Sequence, residues 1–281
     1  MNTAVCAAGL LLATAVMWHA GIVMADGRTV SRHYPEGRVY RMGHGWTPSA
    51  AFADYCRLAR VMLAAGVILA VTCLGAWRAP GRGTAAALGA CAAVVLRLIF
   101  ANRRHAGVRY AGVCLALLAG CLIVAGAAWA AGGPAWTAAA GAIASFFAAQ
   151  LYLVAGIRKL RSRHFMNGGV LIDNLAYNAA QAAAGNRDFL PWPRQAALGA
   201  LLIHPALRAV CKATAIATAA GELTLGLATL GLLPAPVTLA VAVLLHAGFL
   251  LVSPLRIVPF AAASLGLLLL ASSHPLLSTL L

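Results

Sequence analysis

Glu222 stands out from its surroundings by type and position. It lies in Ala-Thr-Ala-Ala-Gly-Glu-Leu-Thr-Leu-Gly, otherwise uncharged, and is one of only six acids in the chain. The Leu-Pro-Ala-Pro stretch at 233–236 predicts a tight turn between two apolar runs. Glu222 precedes Pro234 by twelve residues and His246 follows it by twelve. At 1.5 Å per residue each is about 18 Å from the turn, at equal depth near the bilayer midplane. Equal depth on adjacent helices predicts a Glu222–His246 pair able to pass a proton. A charge there costs about 2.5–3.5 kcal/mol even on insertion scales, so it reads as functional. The competing reading is a protonated carboxyl that only joins two helices.

Lys159 is the second candidate, in Tyr-Leu-Val-Ala-Gly-Ile-Arg-Lys-Leu. Tyr152, Gly156 and Lys159 recur at i, i+4 and i+7, so Gly156 opens space on the face carrying the other two. Lys159 lies 23 residues past Trp136. On a straight helix that is the membrane interface, where a lysine snorkels to water. The shared face with Gly156 instead predicts that Lys159 lines a cavity. Further on, Asn174, Asn178 and Gln181 also recur at i, i+4 and i+7 and give Gly168–Ala184 a polar stripe. With Asp173 they form a weak candidate for substrate binding, able to hold magnesium if the substrate is a diphosphate. The seven cysteines contain no Cys-x-x-Cys pair and mostly sit inside apolar runs, so neither a metal site nor a disulfide framework is expected. His19 and His204 read as core or interfacial residues, and His105 and His164 as solvated loop residues.

The elements that must position these groups can be read from composition. The chain is 62% hydrophobic and 10% charged, against roughly 25% charged in soluble domains. A helix crosses a hydrocarbon core of about 30 Å with about 20 apolar residues. Runs of that kind occupy 3–24, 59–77, 84–101, 110–131, 136–157, 213–233, 236–252 and 257–276. Strand alternation is absent. The fold class expected is all-α, a polytopic integral membrane bundle of about eight transmembrane helices, read as one domain over 1–281. Residues 1–24 lack a basic start and are read as a retained first helix. Between the fifth and sixth runs, Gly168–Ala184 predicts a helix, Asn186–Pro193 a break, and Arg194–His204 a segment along the interface.

The net charge of +15 would point to nucleic acid in a soluble protein. Here it tracks topology, and no nucleic-acid partner is expected. Arginines fill the segments after runs one, three, five and seven, whereas Gly132–Pro134 and Leu233–Ala235 carry no charge; Arg78 and Arg82 alone depart. The bias predicts a multi-pass protein of a plasma (inner) membrane, with both termini outside and the Asp26–Tyr55 loop in the cytoplasm.

The Tyr152–Leu160 motif, followed by Phe165, Gly168 and Gly169, resembles the horizontally transferred transmembrane domain of vitamin K-dependent γ-carboxylase. Gly221-Glu222, Leu-Leu-His246-Ala-Gly-Phe and Pro259-Phe260 continue the resemblance in order. Gln150 is similar to a position in the bacterial sporulation-delaying protein B group. The resemblance covers about 145–262 and implies that Lys159 is a base acting on a lipophilic hydroquinone. Phe165 stands where the family often has Trp, and no large extramembrane domain comes after it, so protein γ-carboxylation is not expected.

The function expected is a membrane enzyme, bacterial by this resemblance, doing acid/base chemistry on a lipophilic quinone or isoprenoid. The chemistry is oxygenation or proton-initiated, terpene-cyclase-type ring closure. Lys159, Glu222 and His246 are its catalytic candidates; Tyr152, Asp173, Asn174, Asn178 and Gln181 are its substrate-binding ones. The alternative is a maturation partner for an exported peptide toxin. Both place the chain in contact with a lipid bilayer.

Overall fold

The computed structural model describes residues 3–33, 38–39, 50–101, 109–132, 135–190 and 192–273. His105, residues 34–37 and 40–49 of the Asp26–Tyr55 segment, and residues 133–134 lie outside the described residues. The chain is helical, as composition demands. Among the described residues, eight helices are long and apolar enough to cross a membrane, and they match the eight apolar runs one for one. The strands described are β1 (Arg38–Val39) and β2 (Ala50–Ala51), a two-residue antiparallel pair.

The contacts divide the chain into two compact units. The first is Met1–Ala144 together with Val258–Ser273; the second contains Ser145–Ile257. The boundary falls inside a continuous helix, where composition does not change.

The first unit holds α1 (Thr3–His33), α2 (Phe52–Arg78), α3 (Arg82–Ala101), α4 (Arg109–Ala130) and α11 (Val258–Ser273). α1 runs seven residues beyond Asp26, where a loop was expected to begin. The pair α1–α2 and the pair α3–α4 pack along their lengths, and α11 returns to lie on α1 and α4. Small residues let the backbones meet: a Cβ on Gly126 would stand 2.8 Å from the carbonyl oxygen of Ala85 and the backbone of Gly89. Among lipid tails, where burial gives helices no preference for one another, this close packing is a main source of association.

α5 (Ala135–Arg161) passes from one unit into the other. The second unit continues with α6 (Arg163–Met166), α7 (Gly169–Ala183), α8 (Gln195–Ile203), α9 (Pro205–Leu227, extended by a π turn to Leu232) and α10 (Ala235–Val252). The expected helix over 168–184 and the break after it are both present. The sixth span begins at Pro205, eight residues before the apolar run suggested. Pro205 sets the first helical φ, and His204 Nδ1 accepts from the Ala206 amide at 3.2 Å. Arg208 and Lys212 lowered the apolar density of the first three turns without breaking the helix.

Candidate functional site

α9 and α10 form the antiparallel hairpin that the Leu-Pro-Ala-Pro turn predicts. Equal depth holds, since a Cβ on Gly221 would stand 3.6 Å from Leu245 Cδ1. The hairpin contact therefore falls one residue before the Glu222 and His246 positions. Each residue turns a helix by about 100°, so both side chains point away from that contact. They meet α5.

α5 runs antiparallel to α9 in this unit. Gly226 faces Leu153, and a Cβ on Gly156 would press into Leu223 at 2.9 Å and the Ala219 carbonyl oxygen at 3.3 Å. Only glycine at 156 lets the two helices come this close. One turn farther along α5, the Lys159 ammonium donates to Glu222 Oε1 in an ion pair. Glu222 is 3% exposed. Its other oxygen, Oε2, is buried and has no hydrogen-bond partner among the described residues. The expected Glu222–His246 hydrogen bond is not formed: the rotation of α9 hands the carboxylate to Lys159.

His246 is buried on the opposite side of the same cluster. Its Nδ1 lies 2.7 Å from the Ala242 carbonyl oxygen. A carbonyl only accepts, so Nδ1 carries the proton, and in the neutral ring Nε2 is left as an acceptor. Tyr152, also buried, donates its hydroxyl to that Nε2 at 3.3 Å. Phe249 links the two pairs. Its ring centroid is 5.9 Å from that of His246 and 5.1 Å from Lys159 Nζ. Phe165 of α6 closes the other side at 5.5 Å, with both rings at the distance of a cation–π contact.

Lys159 is thus held inward, its side chain 22% exposed. α6, α7 and α9 pack beyond the end of α5. The partner of Lys159, Glu222, lies seventeen residues into α9, about 25 Å from that helix's start. The α5 terminus is therefore level with the middle of α9. Phe165, Leu171 and Leu175 pack with Cys211 and Ala215 of α9 beyond it. Gly168 makes the junction: with φ +83°, it lies where a side chain would strike the backbone of Cys211 and Lys212.

The structure brings together Lys159, Glu222, His246 and Tyr152. It does not bring the α7 residues to them by any hydrogen bond. Asp173 pairs with His164 Nε2 at 2.8 Å on an exposed edge, so His164 sits in a one-turn helix with a partner rather than in a free loop. Gln181 Oε1 accepts from Asn186 Nδ2 at 3.0 Å and fastens the turn after α7. Asn174 is half-buried, and Asn178 is buried on the inner face one turn past Leu175. No group of three or more metal-ligating side chains occurs among the described residues. Sequence reasoning missed both aromatic walls. Phe249 was legible, since it lies one turn from His246 on α10; Phe165 needed the α6 fold. It also missed the Asp188–Arg256 ion pair, at 2.5 Å, which with the Leu255 amide on the Asp188 carbonyl oxygen ties the turn after α7 to the end of α10.

Chemically, the site offers one buried carboxylate–ammonium pair with a free carboxylate oxygen, and a Tyr–His pair of fixed tautomer, in apolar and aromatic surroundings. Compared with protein-family models, with curated proteins and with solved structures, the chain matches none.

Proposed function

We propose that this chain is a membrane-embedded enzyme that moves protons on a lipophilic substrate of the quinone or isoprenoid class, with Glu222 as the proton-carrying group. The observation that carries the reading is the state of the Glu222 carboxylate. It is buried among spanning helices, where a charge is costly, yet only one of its oxygens is satisfied. A purely structural ion pair is stable when the remaining lone pairs are also bonded. A free, buried Oε2 suits a group that must receive or deliver a proton.

The residues divide the work accordingly. Glu222 Oε2 takes a proton from a polarised hydroxyl, or in the protonated state gives one to an alkene or epoxide. Lys159 as ammonium balances the charge on the carboxylate; in the hydroquinone chemistry that the resemblance implies, it serves as base only after passing a proton to Glu222 Oε1, which leaves a neutral amine beside a protonated carboxyl. Tyr152 and His246 provide a second donor–acceptor pair two helical turns along α5. The Phe165 and Phe249 rings and the leucines around Gly156 exclude water from the reacting group. The resemblance to the horizontally transferred transmembrane domain supports the same reading, since it spans 145–262 and the second unit contains Ser145–Ile257. The arginine bias supports a plasma-membrane seat with both termini outside.

The test compares lipid extracts of cells producing wild type and Glu222→Gln at equal membrane abundance. Gln keeps the shape and can still accept from Lys159, but it cannot carry a proton. A quinone or isoprenoid species should differ between wild type and empty vector and revert in the variant. Identical extracts from wild type and variant, with both proteins purifying normally, would remove the catalytic reading.

A further inference from the structure

A second feature of Ser145–Ile257 takes no part in the acid–base cluster. α8 is nine residues long, about 13 Å, and cannot cross a core of about 30 Å. Yet it is apolar and outward-facing. Leu201, Leu202 and Ile203 are exposed, Ile203 to 85%, and so are Ala196, Ala197, Gly199 and Ala200. Such a surface is not stable against water at this size.

Cations surround it. Arg194 immediately precedes α8, and Arg208 and Lys212 lie in the first turns of α9. All three are exposed, and none forms an ion pair among the described residues. They belong to one end of the unit, because Gly168 rests on the backbone of Cys211 and Lys212 and α7 packs on both α8 and α9. The acids at that end are already spent, Asp173 on His164 and Asp188 on Arg256.

We propose that this end of the second unit is a seat for anionic phospholipid. α8 lies within one leaflet among acyl chains, and Arg194, Arg208 and Lys212 hold phosphate headgroups above it. A short helix that is apolar all round needs hydrocarbon, and one that cannot span finds it lying near the interface. Guanidinium groups match phosphate oxygens in pairs, and clustered cations at a membrane surface favour anionic lipid. A second copy of the chain does not fit as the occupant, since α8 is flanked by cations at both ends and a copy would set like charges together.

The experiment uses the full chain in nanodiscs of phosphatidylcholine with graded phosphatidylglycerol. A spin label at Ile203→Cys, in a background whose seven native cysteines are replaced, reports accessibility to oxygen and to a water-soluble nickel chelate. The label should be open to oxygen and closed to the chelate. Separately, phosphatidylglycerol should be retained over phosphatidylcholine through gentle detergent extraction. The triple variant Arg194→Gln, Arg208→Gln, Lys212→Gln should lower that preference about tenfold or more, and inorganic phosphate at millimolar concentration should not compete. A paired variant of the first unit, Arg78→Gln with Arg82→Gln, should leave the preference unchanged. A label open to the chelate would overturn the proposal, as would one closed to both reagents, which would indicate a covering protein surface. Equal retention by the triple variant, or displacement by free phosphate, would also overturn it.

Discussion

The two compact units bury polar groups in different ways. In the first, buried hydroxyls bond back to their own helix and reach across only to thiols: Ser264 donates to the Phe260 carbonyl oxygen four residues back at 2.8 Å, and the half-buried Thr72 does the same to Ile68 while its oxygen lies 3.6 Å from Cys91 Sγ. Helices meet there through small residues, as at Gly89 and Gly126. In the second unit buried threonines also bond back along the chain, Thr229 to Gly226 and Thr238 to Pro234, but ionisable side chains pair between helices: Lys159 with Glu222, and Tyr152 with His246. Intrahelical back-bonds cost little and choose no partner. Interhelical pairs in hydrocarbon average only about 0.6 kcal/mol, so stability alone is a poor reason to place a carboxylate and an amine there. The difference is that pairs of ionisable side chains between helices lie in the second unit, where the proposed chemistry would sit.

The largest effect expected is on turnover. Glu222→Gln should lower it by about 10²–10⁴-fold, the usual range for a general acid–base group, with thermal stability close to wild type. Labelling by a lipophilic carbodiimide, which needs a carboxyl in an apolar setting, should vanish in the same variant. Persistent labelling would place the reactive acid elsewhere.

Lys159→Arg should come second, with turnover down about 10²-fold. A guanidinium cannot serve as a neutral base, and its fork can bond both carboxylate oxygens, covering Oε2. Full activity in this variant would remove both the base role of lysine and the role given to the free oxygen.

Stability effects should come next, and they should separate the units. Glu222→Leu leaves the ammonium without its partner. Breaking a buried pair costs about 3–5 kcal/mol, and the partial exposure of Lys159 places this case near the low end. Gly126→Leu should cost about 3 kcal/mol by overpacking the α3–α4 contact, read from thermal unfolding in detergent. It should leave carbodiimide labelling of Glu222 unaltered at temperatures below unfolding. If instead it abolished labelling, the contrast between the two units would not hold.

The smallest effect should be that of Tyr152→Phe, which removes one hydrogen bond worth about 1 kcal/mol and leaves the His246 tautomer set by Ala242. Turnover lowered by about tenfold with stability almost unchanged would mark the Tyr–His pair as an aid to the main proton transfer. A loss as large as that of Glu222→Gln would make Tyr152 the principal proton donor instead.

Much of the architecture was legible in the residues because hydropathy is a local sum. Eight apolar runs of spanning length predict eight helices whatever their partners. Pro234 and Pro236 predict the hairpin, and the hairpin predicts that Glu222 and His246 share a depth. The i, i+4, i+7 spacing of Tyr152, Gly156 and Lys159 predicts one face of one helix. These statements concern single segments or neighbours in the chain, where geometry is set by rise and turn per residue.

Which groups meet was a different matter. The rotation of α9 about its axis, fixed by Gly221 on Leu245 and by Leu223 against Gly156, turned Glu222 from His246 to Lys159. The depth of Lys159 depended on where α9 begins and on α6 and α7 packing beyond the end of α5. A rotation of about 100°, one residue, changes the partner without changing a single hydropathy value. The sequence alone therefore determined the spans, the hairpin and the candidate residues; the packing of three helices decided which of them form a site.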